Sequence, residues 1–203
     1  DLFNKAYDQT ALMAMPRMEG SRHPERWLDQ LLAAVRAHDP QLQHTLFELQ
    51  TVDWRSGQPI PAERLRAQIR QLQAQGVPGE RLWLHAPEAK VFTHLRSAQQ
   101  FLAEVAPLGC RIGLEQFGSG LDSFQLLAHF QPQFLKLDRG FTSDLAATRE
   151  NIDRISQITA RAQEAGIRTI AEFVSDANSM TLLFSAGVDY VQGDFVGPAL
   201  PEM

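Results

Sequence analysis

One cysteine, Cys110, is all that 203 residues contain. A single thiol excludes an internal disulfide, fits a reducing compartment, and is expected to be buried and inert; a cytoplasmic location follows. The chain also lacks basic charge. It carries 19 Lys and Arg against 24 Asp and Glu, a net charge of −5, with both signs dispersed. No basic field exists to hold a long nucleic acid or an anionic membrane, which leaves small anionic ligands gripped by local dipoles. No apolar run approaches the length of a bilayer span, and the first residues lack a charged-then-apolar signal pattern, so membrane insertion is not expected. Metal spacing is missing among the histidines: His44, His85, His94 and His129 stand isolated and are expected to be structural or exposed. An initiator methionine is absent from the opening "DLFNKAYDQT", so the chain is expected to be one domain of a longer multidomain protein.

What is present is an alternation. Short β-prone runs occur at 44–50, 81–87, 111–117, 134–139, 168–173 and 189–193. Between them lie segments with helical spacing. The clearest is Glu150 to Ala165, where Ile152, Ile155, Ile158 and Ala162 repeat every three or four residues before Gly166. A second helix is expected around Trp27, Leu31, Ala34 and Val35, and a third over Ala62 to Gln75 with Leu65, Ile69 and Leu72 as its stripe. Such alternation predicts parallel strands joined by right-handed crossovers, in a doubly wound sheet or a (β/α) barrel. Polar residues collect at the carboxyl ends of the strands: Glu48, Glu88, Glu115 with Gln116, Asp138, Glu172 and Gln192. That convergence favours an α/β barrel of the TIM type, because a doubly wound nucleotide fold would more often show a glycine-rich turn after its first strand. The only glycine-rich stretch, "FGSGLDS", lies deep in the chain without phosphate-loop spacing; Gly118 and Gly120 are expected to permit a tight loop there. Trp54 and Trp83 are assigned to the core or an interface.

The stretches "IGLEQFGSGLDSFQLL", "QPQFLKLDRGF" and "RTIAEFVSDANSMTLLFSAGVDYVQGDFVGPAL" resemble the EAL-domain family, the cyclic-di-GMP phosphodiesterases and their degenerate relatives, from about Leu46 to Leu200. The resemblance implies a TIM-like barrel whose strand ends bind the dinucleotide and, in active members, two divalent cations. Active members carry adjacent aspartates where this chain has Glu115 and Gln116. A neutral amide cannot supply the charge such cations require, and an extra methylene displaces the remaining carboxylate. Two-metal hydrolysis is sensitive to displacements of about 1 Å. Glu48 stands where the family usually has a metal-binding Asn, and Glu88 keeps a carboxylate after "HAP". Lys136 matches the family's site lysine and Glu172 the first glutamate of its Ala-Glu-Gly-Val-Glu motif, with Phe173 and Ser175 replacing the glycine and the second glutamate. Gln192 and Gly193 keep the Gln-Gly signature. The Glu-Ala-Leu strand has no evident counterpart, and "SGQPIP" at 56–61 only imitates the first-strand motif, so the barrel is expected to lack its first strands.

Glu48, Glu88, Glu115 and Gln116 are therefore degenerate metal-site positions; no catalytic residue, metal or required cofactor is expected. The expected ligand is cyclic-di-GMP, contacted by Glu172, Phe173, Gln192, Gly193, Lys136, Phe195 and Pro198. Glu172 is an acceptor for the guanine donors, and Phe173, Phe195 or Pro198 a stacking surface. Against this stand plainer readings: Glu172 as a helix cap, Phe173 as core, Gln192 with Gly193 as a turn, and Asp138 as part of a structural turn. Lys136 is expected to pair with Glu115 or Glu172, or to contact phosphate. Glu88 is expected to pair with a basic side chain. The motifs look most like the family's receptor members that regulate type IV pili. That implies a PilZ-domain protein as partner, a role in twitching motility and concentration at a cell pole. The alternatives are an interaction scaffold without nucleotide and a residual metal-dependent phosphodiesterase.

Overall fold

The computed structural model describes residues 9–16, 20–53, 56–120, 123–142, 145 and 149–196; Trp54 and Pro198 lie outside these. The chain divides into two compact units, Asp1–Ala86 with Arg96–Ile112, and Pro87–Leu95 with Gly113–Met203.

In the first unit, strands β1 (Thr10–Met13), β2 (Thr45–Gln50) and β3 (Leu82–Pro87) run parallel in that order. Thr10 pairs with Thr45 and Gln50 with His85, so each strand lies beside its sequence neighbour, as a helical crossover dictates. Helix α1 (Pro24–His38) starts with Pro24 in its first turn, where a missing N–H costs nothing, and buries Leu28, Leu31, Leu32 and Val35. It ends at Asp39, whose carboxylate accepts from the Gln43 and His44 N–H groups and the Thr45 hydroxyl at 2.8–2.9 Å. This one side chain fixes the turn that feeds β2. Helix α2 (Ala62–Ala74) buries Leu65, Ile69 and Leu72, the stripe expected from sequence. Strand β2 is buried along its whole length, which explains why "TLFELQ" does not alternate. Trp83 is core, 3% exposed. The "SGQPIP" stretch forms no strand of its own: Val52 bridges Pro59 antiparallel across a turn closed by the Gly57 N–H on the Asp53 carbonyl.

The second unit begins with α3 (Glu88–Thr93), followed by α4 (Leu95–Val105), most of which belongs to the first unit. It continues through β4 (Arg111–Phe117), α5 (Ser123–Leu127), β5 (Phe134–Leu137), α6 (Arg139–Thr142), α7 (Arg149–Glu164), β6 (Arg168–Ala171), α8 (Ala177–Ser185) and β7 (Tyr190–Val191). Here too every strand is parallel to the next in sequence. Neither unit contains the reversal of strand order that a doubly wound sheet would need. At the centre, Phe134 is fully buried against Gly113, where an added Cβ would come within 2.0 Å of its ring. Helix α7 buries Ile155, Ile158, Thr159 and Ala162 and stops at Gly166 (φ +69°), whose N–H and that of Ile167 return to the Gln163 and Ala162 carbonyls. Cys110 is only half-buried, not fully enclosed as expected, yet burial pushes its thiol up to about 11.

Candidate functional site

The carboxyl ends of β4 to β7 carry most of the residues singled out from sequence. Glu115 and Gln116 sit where the β4–β5 register breaks between Leu114 and Phe117. Glu115 is buried at 8% exposure, while Gln116 is exposed and held at φ +56°. A non-glycine residue in left-handed backbone is strained, and such strain gathers where a side chain must be aimed. Gly118 follows at φ +93° and donates its N–H to Glu88 Oε2 at 2.7 Å. The other oxygen, Oε1, accepts the Ser123 hydroxyl at 2.5 Å. Glu88, 4% exposed, was expected to pair with a basic side chain; among the described residues its two oxygens are held by these two donors instead. It is the clamp that shapes the loop after β4, and a Cβ at Gly120 would come within 2.7 Å of it.

Lys136, on β5, is 4% exposed and its Nζ lies 3.0 Å from Glu172 Oε1, so of the expected partners Glu172 is in contact. Asp138 closes a turn: its N–H donates to the Phe117 carbonyl and its Oδ1 accepts from Gly140 N–H at 2.8 Å. Glu172 is part-exposed. The next residue, Phe173, is not core: it is 52% exposed at φ +61°, with the Arg139 guanidinium 4.6 Å from its ring centroid. The cap of α8 is not Glu172 but Asp176, which accepts from the Ser179 N–H at 2.8 Å.

The loops after β6 and β7 are stitched together. Gln192 donates its N–H to the Ala171 carbonyl and accepts from Val174 N–H, while Phe195 N–H donates to the Val174 carbonyl. Gly193 at φ +151° makes this possible, since a Cβ there would lie 2.3 Å from Val174 N. Phe195 is left 45% exposed. Thus Lys136, Glu172, Phe173, Gln192, Gly193 and Phe195 all lie at the ends of three adjacent strands of one unit.

Glu48 belongs to the first unit. Its Oε1 lies 3.5 Å from His85 Nε2, with side-chain exposures of 3% and 1%. His85, read from sequence as isolated, is thus a buried neighbour of a carboxylate, while His44, His94 and His129 are exposed. The signal lay in register: pairing Gln50 with His85 puts the two polar strand ends side by side. Arg139 was missed as well, because nothing in "LDRG" tells which way an arginine after a turn will fold. Among the described residues no group of three or more His, Cys, Asp or Glu side chains is placed to hold a metal ion.

This arrangement of strand ends has known counterparts. The EAL domain model matches residues 24–199, and the chain belongs to the EAL domain family. The EAL domain of Xanthomonas citri FimX, solved in complex with c-diGMP, is 53% identical with a TM-score of 0.68, over 86% of this chain and 68% of that one. The FimX EAL domain of Pseudomonas aeruginosa bound to c-di-GMP is 25% identical with a TM-score of 0.69, over 93% and 75%. Escherichia coli cyclic di-GMP phosphodiesterase PdeF is 27% identical over 114 residues, 56% of this chain and 15% of that protein. The chain spans about a sixth of the length of the curated relatives it matches. Its fold is the EAL type of TIM-like (β/α) barrel architecture.

Proposed function

We propose that this chain is a cyclic-di-GMP receptor domain that binds without hydrolysing and passes ligand occupancy to a protein partner. The observation that carries this reading is the pairing of Glu172 with an exposed aromatic, Phe173, held in strained backbone at the end of β6. A carboxylate can accept from the guanine N1 and N2 donors while the ring offers a stacking face, worth about 1–3 kcal/mol per base. Gln192 and Gly193 let backbone approach the same ligand, and Lys136 can contact its phosphate. The bound ligand in both FimX structures supports the choice of nucleotide.

The two divalent cations of active family members do not fit the residues here. Gln116 presents a neutral amide, both oxygens of Glu88 are held by Gly118 and Ser123, and Glu48 lies against His85. Hydrolysis of cyclic di-GMP, the activity named for PdeF, is therefore not proposed. The motif resemblance to receptors of type IV pilus control supports a PilZ-domain protein as partner, twitching motility as output, and a cytoplasmic place concentrated at a cell pole. No helix among the described residues is long and apolar enough to cross a membrane.

Calorimetric titration with cyclic-di-GMP, with and without Mg²⁺, tests the reading when the recovered nucleotide is then run on a column. Saturable binding indifferent to Mg²⁺ and return of intact ligand are expected. Linear dinucleotide in the recovered fraction would make the chain a phosphodiesterase, and no binding would make it a scaffold.

A further inference from the structure

The contact between Arg139 and Phe173 has no role in the reading above. Arg139 opens α6 in the turn just after β5, and Phe173 lies in the loop just after β6, the strand with which β5 pairs. The guanidinium lies 4.6 Å from the ring centroid, within the range at which a cation is drawn to an aromatic face. A guanidinium is planar and weakly hydrated, which suits it to contact with an aromatic face. With that contact in place, Phe173 is still 52% exposed, so much of its surface remains open to solvent. Phe173 also sits at φ +61°, a conformation that a bulky side chain adopts only when its surroundings impose it. An exposed ring gains little from burial to offset that strain.

We propose that Arg139 is a positioning residue for purine recognition: it backs one face of Phe173 and holds the ring so that its open face receives a guanine base. This rests on the receptor reading, and it adds a residue that does not itself touch the base. Lys136 on Glu172 and Arg139 on Phe173 then make two ties from β5 and the turn after it to the loop after β6, one setting the hydrogen-bonding carboxylate and the other the stacking ring.

The test is a double-mutant cycle read by calorimetry with cyclic-di-GMP: the unsubstituted protein, Arg139→Ala, Phe173→Leu and both together, at two salt concentrations, with thermal melts to show that each folds. Arg139→Ala is expected to weaken binding about three- to tenfold. In the Phe173→Leu background the same substitution is expected to change affinity by less than about twofold, because the arginine acts through the ring. A loss of equal size in both backgrounds, steeper at low salt, would mean direct phosphate contact and overturn the proposal. So would an unchanged affinity for Arg139→Ala. Failure of the unsubstituted protein to bind would instead sink the receptor reading on which the proposal stands.

Discussion

Single residues carry several of the structural burdens, and each can be tested by one substitution. Asp39 joins α1 to β2. Burial opposes its charge, but hydrogen bonds from His44, Gln43 and Thr45 prevail and hold the carboxyl below its ordinary value. A depressed folded-state value means stability that is present above the unfolded value near 4 and lost as pH falls through the folded one. Asp39→Ala is expected to cost about 1–2 kcal/mol at pH 7 in urea unfolding, with the gap to the unsubstituted protein closing toward pH 3. Cys110 gives a second case at this scale. With its thiol at about 11, well under one in a hundred molecules carries thiolate at pH 8. Thiol-disulfide reagents are expected to label it far more slowly than an unfolded control, and labelling at the control's rate would refute the assignment. The same scale shows where sequence was readable. Glu172 and Phe173 were recognisable as a pair because motif order marks them. The use of Glu88 as a loop clamp was not, since its partners are a backbone N–H and a hydroxyl 30 and 35 residues away.

Elements were more legible than their ends. Six strands and the helices α1, α2 and α7 follow from apolar spacing, because a crossover unit must bury a strand and one helix stripe together. Strand β5 stops at Leu137 rather than Arg139 because Asp138 turns the chain, and β6 stops at Ala171 because Phe173 has left extended backbone. Strand β1 was not foreseen: four residues, "TALM", carry no alternation and acquire their identity only from pairing with β2. The short helices α3 and α4 were missed too, since Phe92 is exposed and α4 fully buries only Val105. The junction between β6 and β7 yields a prediction at this scale. Gly193→Ala would drive a Cβ into Val174 N, in a backbone conformation that L residues rarely adopt. The Phe195-to-Val174 hydrogen bond should break, and cyclic-di-GMP affinity should fall at least tenfold while far-UV circular dichroism is preserved. Unaltered affinity would remove the β7 loop from the site.

For the molecule as a whole, binding and hydrolysis make separable demands, and the proposed receptor needs only the first. A ligand held by Glu172, Phe173, Gln192 and Gly193 needs only strand ends that already converge. A two-metal centre needs several hard oxygens free at once. Replacing the pair, Glu115→Asp with Gln116→Asp, adds charge at β4 but leaves Glu88 bound to Gly118 and Ser123. It leaves Gln116's left-handed backbone in place as well, so the new carboxylate would be aimed by a strained turn. The double variant is therefore expected to bind cyclic-di-GMP with a thermal upshift that Mg²⁺ does not enlarge, and to release no linear dinucleotide above the unsubstituted background. Ligand at about a hundred times Kd should stabilise either protein by about 2.7 kcal/mol, whether or not the metal is present. Appearance of Mg²⁺-dependent product in the double variant would mean that the clamp on Glu88 yields to a metal, and would count against the proposed receptor reading.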